Sequence, residues 1–170
     1  MPTDQFSPID PSQPQFTLRA VLTGMVLAAV LSVCNVYIGL KMGIGLNMSI
    51  VAILLGYAFW TLARRASGGE IRPWGILENN INQTACSSGA LVASAGLVAP
   101  IPALTLLTGI TFSWHCLALW VFAVCLVGIL VAVALRRHMV IEQKLPFPVG
   151  TASAEMLREL HSRGREALLR

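Results

Sequence analysis

Five neighbouring side chains, Asn79, Asn80, Asn82, Gln83 and Thr84, can each donate and accept hydrogen bonds, and they head a long uncharged run. Such groups hold peptide-like or chelating ligands without supplying a fixed charge. From Asn79 to Leu135 there is no Asp, Glu, Lys or Arg. About 20 residues at 1.5 Å rise cross a bilayer core of ~30 Å, so this run is long enough to cross twice. Pro100 and Pro102 near its middle mark the turn. An amide left alone at membrane depth is expensive, so the cluster must face protein or water. That favours a lined pathway over a plain anchor. The same amides also suit helix capping and helix–helix bonding with no ligand at all, and the residues alone leave both readings open.

On a helix Asn79, Asn82 and Gln83 share a face that continues through Cys86 towards Ala93. Ala85, Gly89 and Ala93 form a row of small residues that admits a closely packed neighbour. Asn35 and Tyr37 are candidates for the same pathway, and Lys41 is a candidate cation for a substrate carboxylate or, alternatively, a side chain reaching the interface. Glu78 is the one acid at the mouth of the amide-headed segment, suited to carrying a proton or to capping a helix N-terminus. Lys41 and Glu78 fall on opposite membrane faces in the topology below, so no direct pair between them is expected. His115, His138 and His161 are scattered and build no metal site, and Cys34, Cys86, Cys116 and Cys125 form no disulfide framework. No catalytic pair, phosphate loop or cofactor motif is present, which argues against an enzyme, and no aromatic–basic interleaving points to nucleic acid.

The elements that must position these residues are membrane spans. The chain is 55% hydrophobic and 12% charged, with mean hydropathy +0.70, whereas a soluble domain carries roughly 25% charged residues. The expected architecture is an all-α integral membrane protein with four transmembrane helices over about 18–40, 44–63, 79–99 and 113–135. A short link at Lys41 should join the first two as an antiparallel hairpin. Residues 1–17 read as a polar N-terminal arm, 18–138 as the membrane region, and 139–170 as a Pro/Gly linker followed by an amphipathic helix. Thr151 can cap that helix, with Ala152, Met156, Leu157 and Leu160 near one face, at the cytoplasmic surface or docked on other protein. Arg64, Arg65 and Arg72 lie in one polar loop, and Arg136, Arg137 and Lys144 follow the fourth span. The positive-inside rule then makes the 64–78 loop and both termini cytoplasmic, in the plasma (inner) membrane.

Three stretches together resemble the oligopeptide transporter (OPT) family, which includes the yellow-stripe-like metal-chelate transporters: FTLRAVLTGMVLAAVLSVCNVYIGLKMGIGLNMSI from Phe16, ENNINQTACSSGALVASAGLVAPIPAL from Glu78, and LPFPVGTASAEMLREL from Leu145. The likeness is to the N-terminal portion of a prokaryotic member. It implies a secondary-active symporter of small peptides or metal chelates, coupled to protons and working by alternating access. In that scheme Asn79, Asn82 and Gln83 bind polar substrate groups. Since the family continues into further spans, the resemblance implies a fragment, a truncated frame or a split subunit. Its partners would be lipid and either the remaining spans or further copies. The competing reading is a non-transporting scaffold whose amides only bind helices together.

Overall fold

Small residues at helical spacing decide how this chain packs. The computed structural model describes residues 13–93 and 100–169, with side chains through 162. Most of the N-terminal arm and residues 94–99, the expected end of the third span, lie outside the described residues. Helix α1 runs Leu18–Met42. The Thr17 hydroxyl accepts from the Ala20 N–H at 3.4 Å to start it. Gly43 stops it at φ 73°, a left-handed turn that glycine takes without a Cβ clash. Its buried stripe is Ala20, Gly24, Ala28, Leu31, Asn35 and Gly39.

That stripe receives α3, Ile76–Val92. A Cβ placed on Gly24 would stand 2.8 Å from both the Ala85 Cβ and the Asn82 carbonyl oxygen. One placed on Gly89 would stand 2.9 Å from the Ala28 Cβ. The Ala85–Gly89 row is therefore the seat of α1. Helix α2, Ser49–Ala66, packs on another side of α3 through Ala52, Ile53 and Gly56. The expected hairpin of α1 and α2 takes a different form, because α3 provides most of the packing for both. The second helix also begins at Ser49, later than the expected 44. Asn47 holds the turn ahead of it, its Oδ1 accepting from the Ser49 N–H at 2.9 Å and from the Ser87 hydroxyl at 3.2 Å.

Beyond residue 99 come α4, Pro100–Thr108, and α5, Trp114–Arg136, which continues as a π-helical turn over Arg137–Glu142. Helix α6 spans Pro148–Leu169. It starts a turn ahead of Thr151, with proline in the first turn, where its missing N–H is no loss. No strand occurs among the described residues, and the architecture is all-helical. Two helices are long and apolar enough to cross a membrane, Leu18–Met42 and Trp114–Glu142. No residue of α5 is buried among the described residues, and most of its apolar surface is open.

The amphipathic tail helix does not lie apart on a surface. It docks on α2 and α3, with Ser153 and Leu157 buried. Its start lies beside Asn47 and Ile50, and His161 meets Tyr57, so α6 runs in the same direction as α2. The start of α6 thus sits at the end of α2 remote from Arg64 and Arg65.

Candidate functional site

At one end of the bundle a single carboxylate gathers three elements. Glu78 is 1% exposed. Its Oε1 accepts from the Thr17 hydroxyl at 2.6 Å, from Arg19 Nε at 2.8 Å and from Arg72 Nη2 at 2.6 Å. Its Oε2 takes a second, very short contact from Arg19 Nη2 and accepts from the Gly75 N–H at 3.3 Å. Arg19 also donates to the carbonyls of Arg72 and Pro73. The guanidinium of Arg19 stands 5.1 and 5.2 Å from the rings of Trp60 and Trp74, which are stacked on one another. Two guanidinium groups and the start of α3 all favour the charged carboxylate. Lys41 lies at the other end of α1 from Arg19 and does not pair with Glu78. Arg19 and Lys41 are separated by about 33 Å along α1.

The amide cluster divides into two faces. Asn79 and Asn82 point inward and are fully buried. Asn79 Nδ2 donates to the Ile53 carbonyl at 3.2 Å, and Asn82 Nδ2 to the Ala52 carbonyl at 3.0 Å and to Asn79 Oδ1 at 3.3 Å. Gly56 makes this possible: a Cβ there would fall 2.4 Å from Asn82 Nδ2. Asn35 does the same for the α1–α2 connection. Its Oδ1 accepts from the Leu46 N–H, while its Nδ2 donates to the carbonyls of Leu46 and Ala90, all within 3.1 Å. Gly56 was not among the residues singled out from sequence. The signal was its place in the Ala52–Gly56 spacing, facing a helix headed by asparagines.

Asn80, Gln83 and Thr84 point the other way. Gln83 Nε2 donates to Asn80 Oδ1 at 3.1 Å and to Thr84 Oγ1 at 3.2 Å, and Ser88 extends the polar stripe. Asn80 and Gln83 line a cavity of about 410 Å³ between α3 and α6, with Asn47 and Ser49 from the start of α2. Helix α6 contributes Val149, Ser153, Leu157 and Arg158, and Phe147 just before it completes the wall. Apolar walls with a few convergent amides and hydroxyls are the usual makeup of a small-molecule site. Tyr37 and Lys41 stand apart from it, on an exposed part of α1, where Lys41 Nζ lies 3.4 Å from the Tyr37 hydroxyl and 5.7 Å from its ring. Structure therefore groups Asn80, Gln83 and Thr84, groups Asn35, Asn79 and Asn82 separately, and leaves Tyr37 and Lys41 outside both. No His/Cys/Asp/Glu cluster able to hold a metal occurs among the described residues.

Residues 15–170 match the family described as OPT oligopeptide transporter protein. A metal-nicotianamine transporter of Arabidopsis thaliana is 27% identical over 175 residues, covering 92% of this chain and 26% of that protein. A Saccharomyces cerevisiae protein provisionally named an oligopeptide transporter is 31% identical over 163 residues, covering 89% of this chain and 22% of its own length. A Haemophilus influenzae protein with the same provisional name is 34% identical over 127 residues, or 72% of this chain and 18% of that one. The chain thus spans about a quarter or less of the length of these relatives. No solved structure matches it.

Proposed function

This chain belongs to the OPT oligopeptide transporter family, and we propose that it forms part of a membrane transporter for small peptides or peptide-like metal chelates. The observation that carries this reading is the outward polar stripe of α3, Asn80, Gln83, Thr84 and Ser88, whose Asn80 and Gln83 line the cavity beneath α6. In a membrane setting such a stripe cannot face hydrocarbon. Glu155 and Glu159, exposed on α6, need water or protein for the same reason. Stripe and helix together form one wall of a polar passage, and the remaining walls come from further spans or further copies.

Within this wall, Asn80, Gln83 and Thr84 touch cargo. Asn35, Asn79 and Asn82 act as rivets that hold the wall in shape, which is the part of the scaffold reading that their bonds to backbone carbonyls favour. Helices α1, α2 and α3 cross the plasma membrane with the basic 64–78 segment on the cytoplasmic side. Because α6 starts at their opposite end, the cytoplasmic placement expected for the segment after the fourth span is not retained. Glu78 serves as a permanent counter-ion to Arg19 and Arg72, so proton coupling and the alternating-access cycle depend on another titratable group. Uptake of di- to tetrapeptides and of iron chelates into proteoliposomes tests the assignment, using a version extended with the downstream spans. Gln83→Ala and Asn80→Ala should each lower uptake about tenfold or more, with insertion into the membrane unchanged, as expected for lost ligand hydrogen bonds worth ~1.4 kcal/mol or more. Unaltered uptake in both would remove the cavity from the pathway.

A further inference from the structure

The α6 seam is less well satisfied than the core it rests on. Among the described residues, four buried side-chain polar atoms lack a hydrogen-bond partner: Trp74 Nε1, Asn82 Oδ1, Ser153 Oγ and His161 Nε2. Two belong to α6, and a third belongs to Trp74, whose backbone borders the His161 ring. By contrast, every side-chain nitrogen of the rivet amides Asn35, Asn79 and Asn82 is bonded. A buried polar atom without a partner is recovered by water when the surfaces part, and at the seam, unlike at Asn82, whose nitrogen bonds hold it to Ala52, few bonds oppose that opening.

His161 gives that opening a trigger. Its ring meets Tyr57 edge-on, with centroids 5.1 Å apart. Nδ1 lies 2.8 Å from the Leu157 carbonyl and must therefore carry the proton and donate. That leaves the lone pair of Nε2 buried and unbonded. The ionisable groups on the surrounding elements are Tyr57, Arg64 and Arg65 on α2, Glu70 and Arg72 in the segment before α3, Glu78 on α3 with its partner Arg19, and Glu155, Arg158 and Glu159 on α6 itself. Among the described residues no acid bonds the ring, and Glu78 is already engaged by two arginines. Among the described residues, a charge on this imidazole would thus meet backbone of Leu157, Trp74 and Gly75 but no carboxylate.

We propose that α6 is a proton-operated lid: with His161 neutral it closes the cavity against α2 and α3, and protonation of His161 releases it. Burial holds the imidazole below its ordinary value of 6.5, against the opposing pull of the Leu157, Trp74 and Gly75 backbone. A docked helix that binds the proton less tightly than a free one is secure above about pH 6.5 and loosens as pH falls through that value. Release carries Phe147, Val149, Ser153 and Leu157 away from the cavity wall and uncovers Asn80 and Gln83. The lid itself does not depend on the cargo; only its consequence for transport rests on the function proposed above.

Paired spin labels on the 170-residue chain in lipid nanodiscs test it, reading helix position and not uptake. Ala66→Cys and Glu155→Cys are both exposed sites, introduced after the four native cysteines are changed to alanine. At about pH 8 one narrow distance is expected, and at about pH 5 a second, longer population should hold the majority. His161→Gln and His161→Phe, which cannot titrate there, should keep the narrow distance at both values. The lid is overturned if the wild-type distances are the same at both, or if both variants shift as the wild type does. A longer population that appears together with loss of helical circular dichroism is general unfolding, and would overturn it equally.

Discussion

At Glu78 one carboxylate neutralises two arginines and receives a hydroxyl and a backbone N–H. Removing its charge leaves Arg19, itself largely buried, without its partner. Glu78→Gln should therefore lower stability on the order of 3 kcal/mol, read as a drop in the thermal midpoint in detergent. Arg72 is half exposed, so solvent screens its pair, and Arg72→Ala should lose no more than about 1 kcal/mol. Asn35 presents a different case, because it serves backbone and not charge. Asn35→Leu keeps the volume but strands the Leu46 N–H and the Leu46 and Ala90 carbonyls, at about 1–3 kcal/mol for each group that stays buried. Hydrogen exchange at Leu46 should accelerate in that variant more than exchange in α5.

The elements are held by close approach. Along α1 the buried positions include Ala20, Gly24, Ala28 and Gly39, and α3 answers with Ala85 and Gly89. Larger groups there do not meet flexible side-chain ends but the Asn82 backbone and a Cβ, neither of which can yield without parting the helices. Gly24→Leu should therefore destabilise the bundle by more than the ~1–3 kcal/mol usual for overpacking, or abolish its monodisperse behaviour in detergent. At Gly56 the near atom is the Asn82 amide. Gly56→Ala should push that amide out of its bond to Ala52, so Asn82→Ala should partly rescue Gly56→Ala. Purely additive losses in the double variant would count against this coupling.

Over the whole molecule, a packed unit of α1, α2, α3 and α6 contrasts with α5, whose surface is open along its length. An exposed apolar helix of that size needs lipid or partner helices. Single-tryptophan variants reconstituted with brominated lipid should separate the two environments. Trp120, on α5, should be quenched strongly, and Trp74, buried against Trp60 and Arg19, should be quenched little. Equal quenching of both would mean that the α1–α3 unit admits lipid or that α5 is covered by another copy.

Sequence by itself determined the helical, membrane-bound character of the chain and the amide-headed α3 with its small-residue row, because these follow from composition, from charge-free run length and from fixed i, i+4 geometry, while the family came from the resemblance of three stretches. The end of α1 at Met42 was legible for the same reason, since Gly43 breaks the pattern locally, whereas the basic pair Arg136 and Arg137 does not stop α5, which runs on into the π-helical turn. Which amides turn inward was not legible. Asn79 and Asn80 are adjacent and chemically alike, and only the position of Gly56 on another helix gives one a carbonyl to bind and leaves the other facing a cavity. The docking of α6, and with it the burial of His161, is likewise a tertiary decision. An amphipathic pattern states that one face must be covered, but the cover is supplied by α2 and α3, whose surfaces exist only once they have packed on one another.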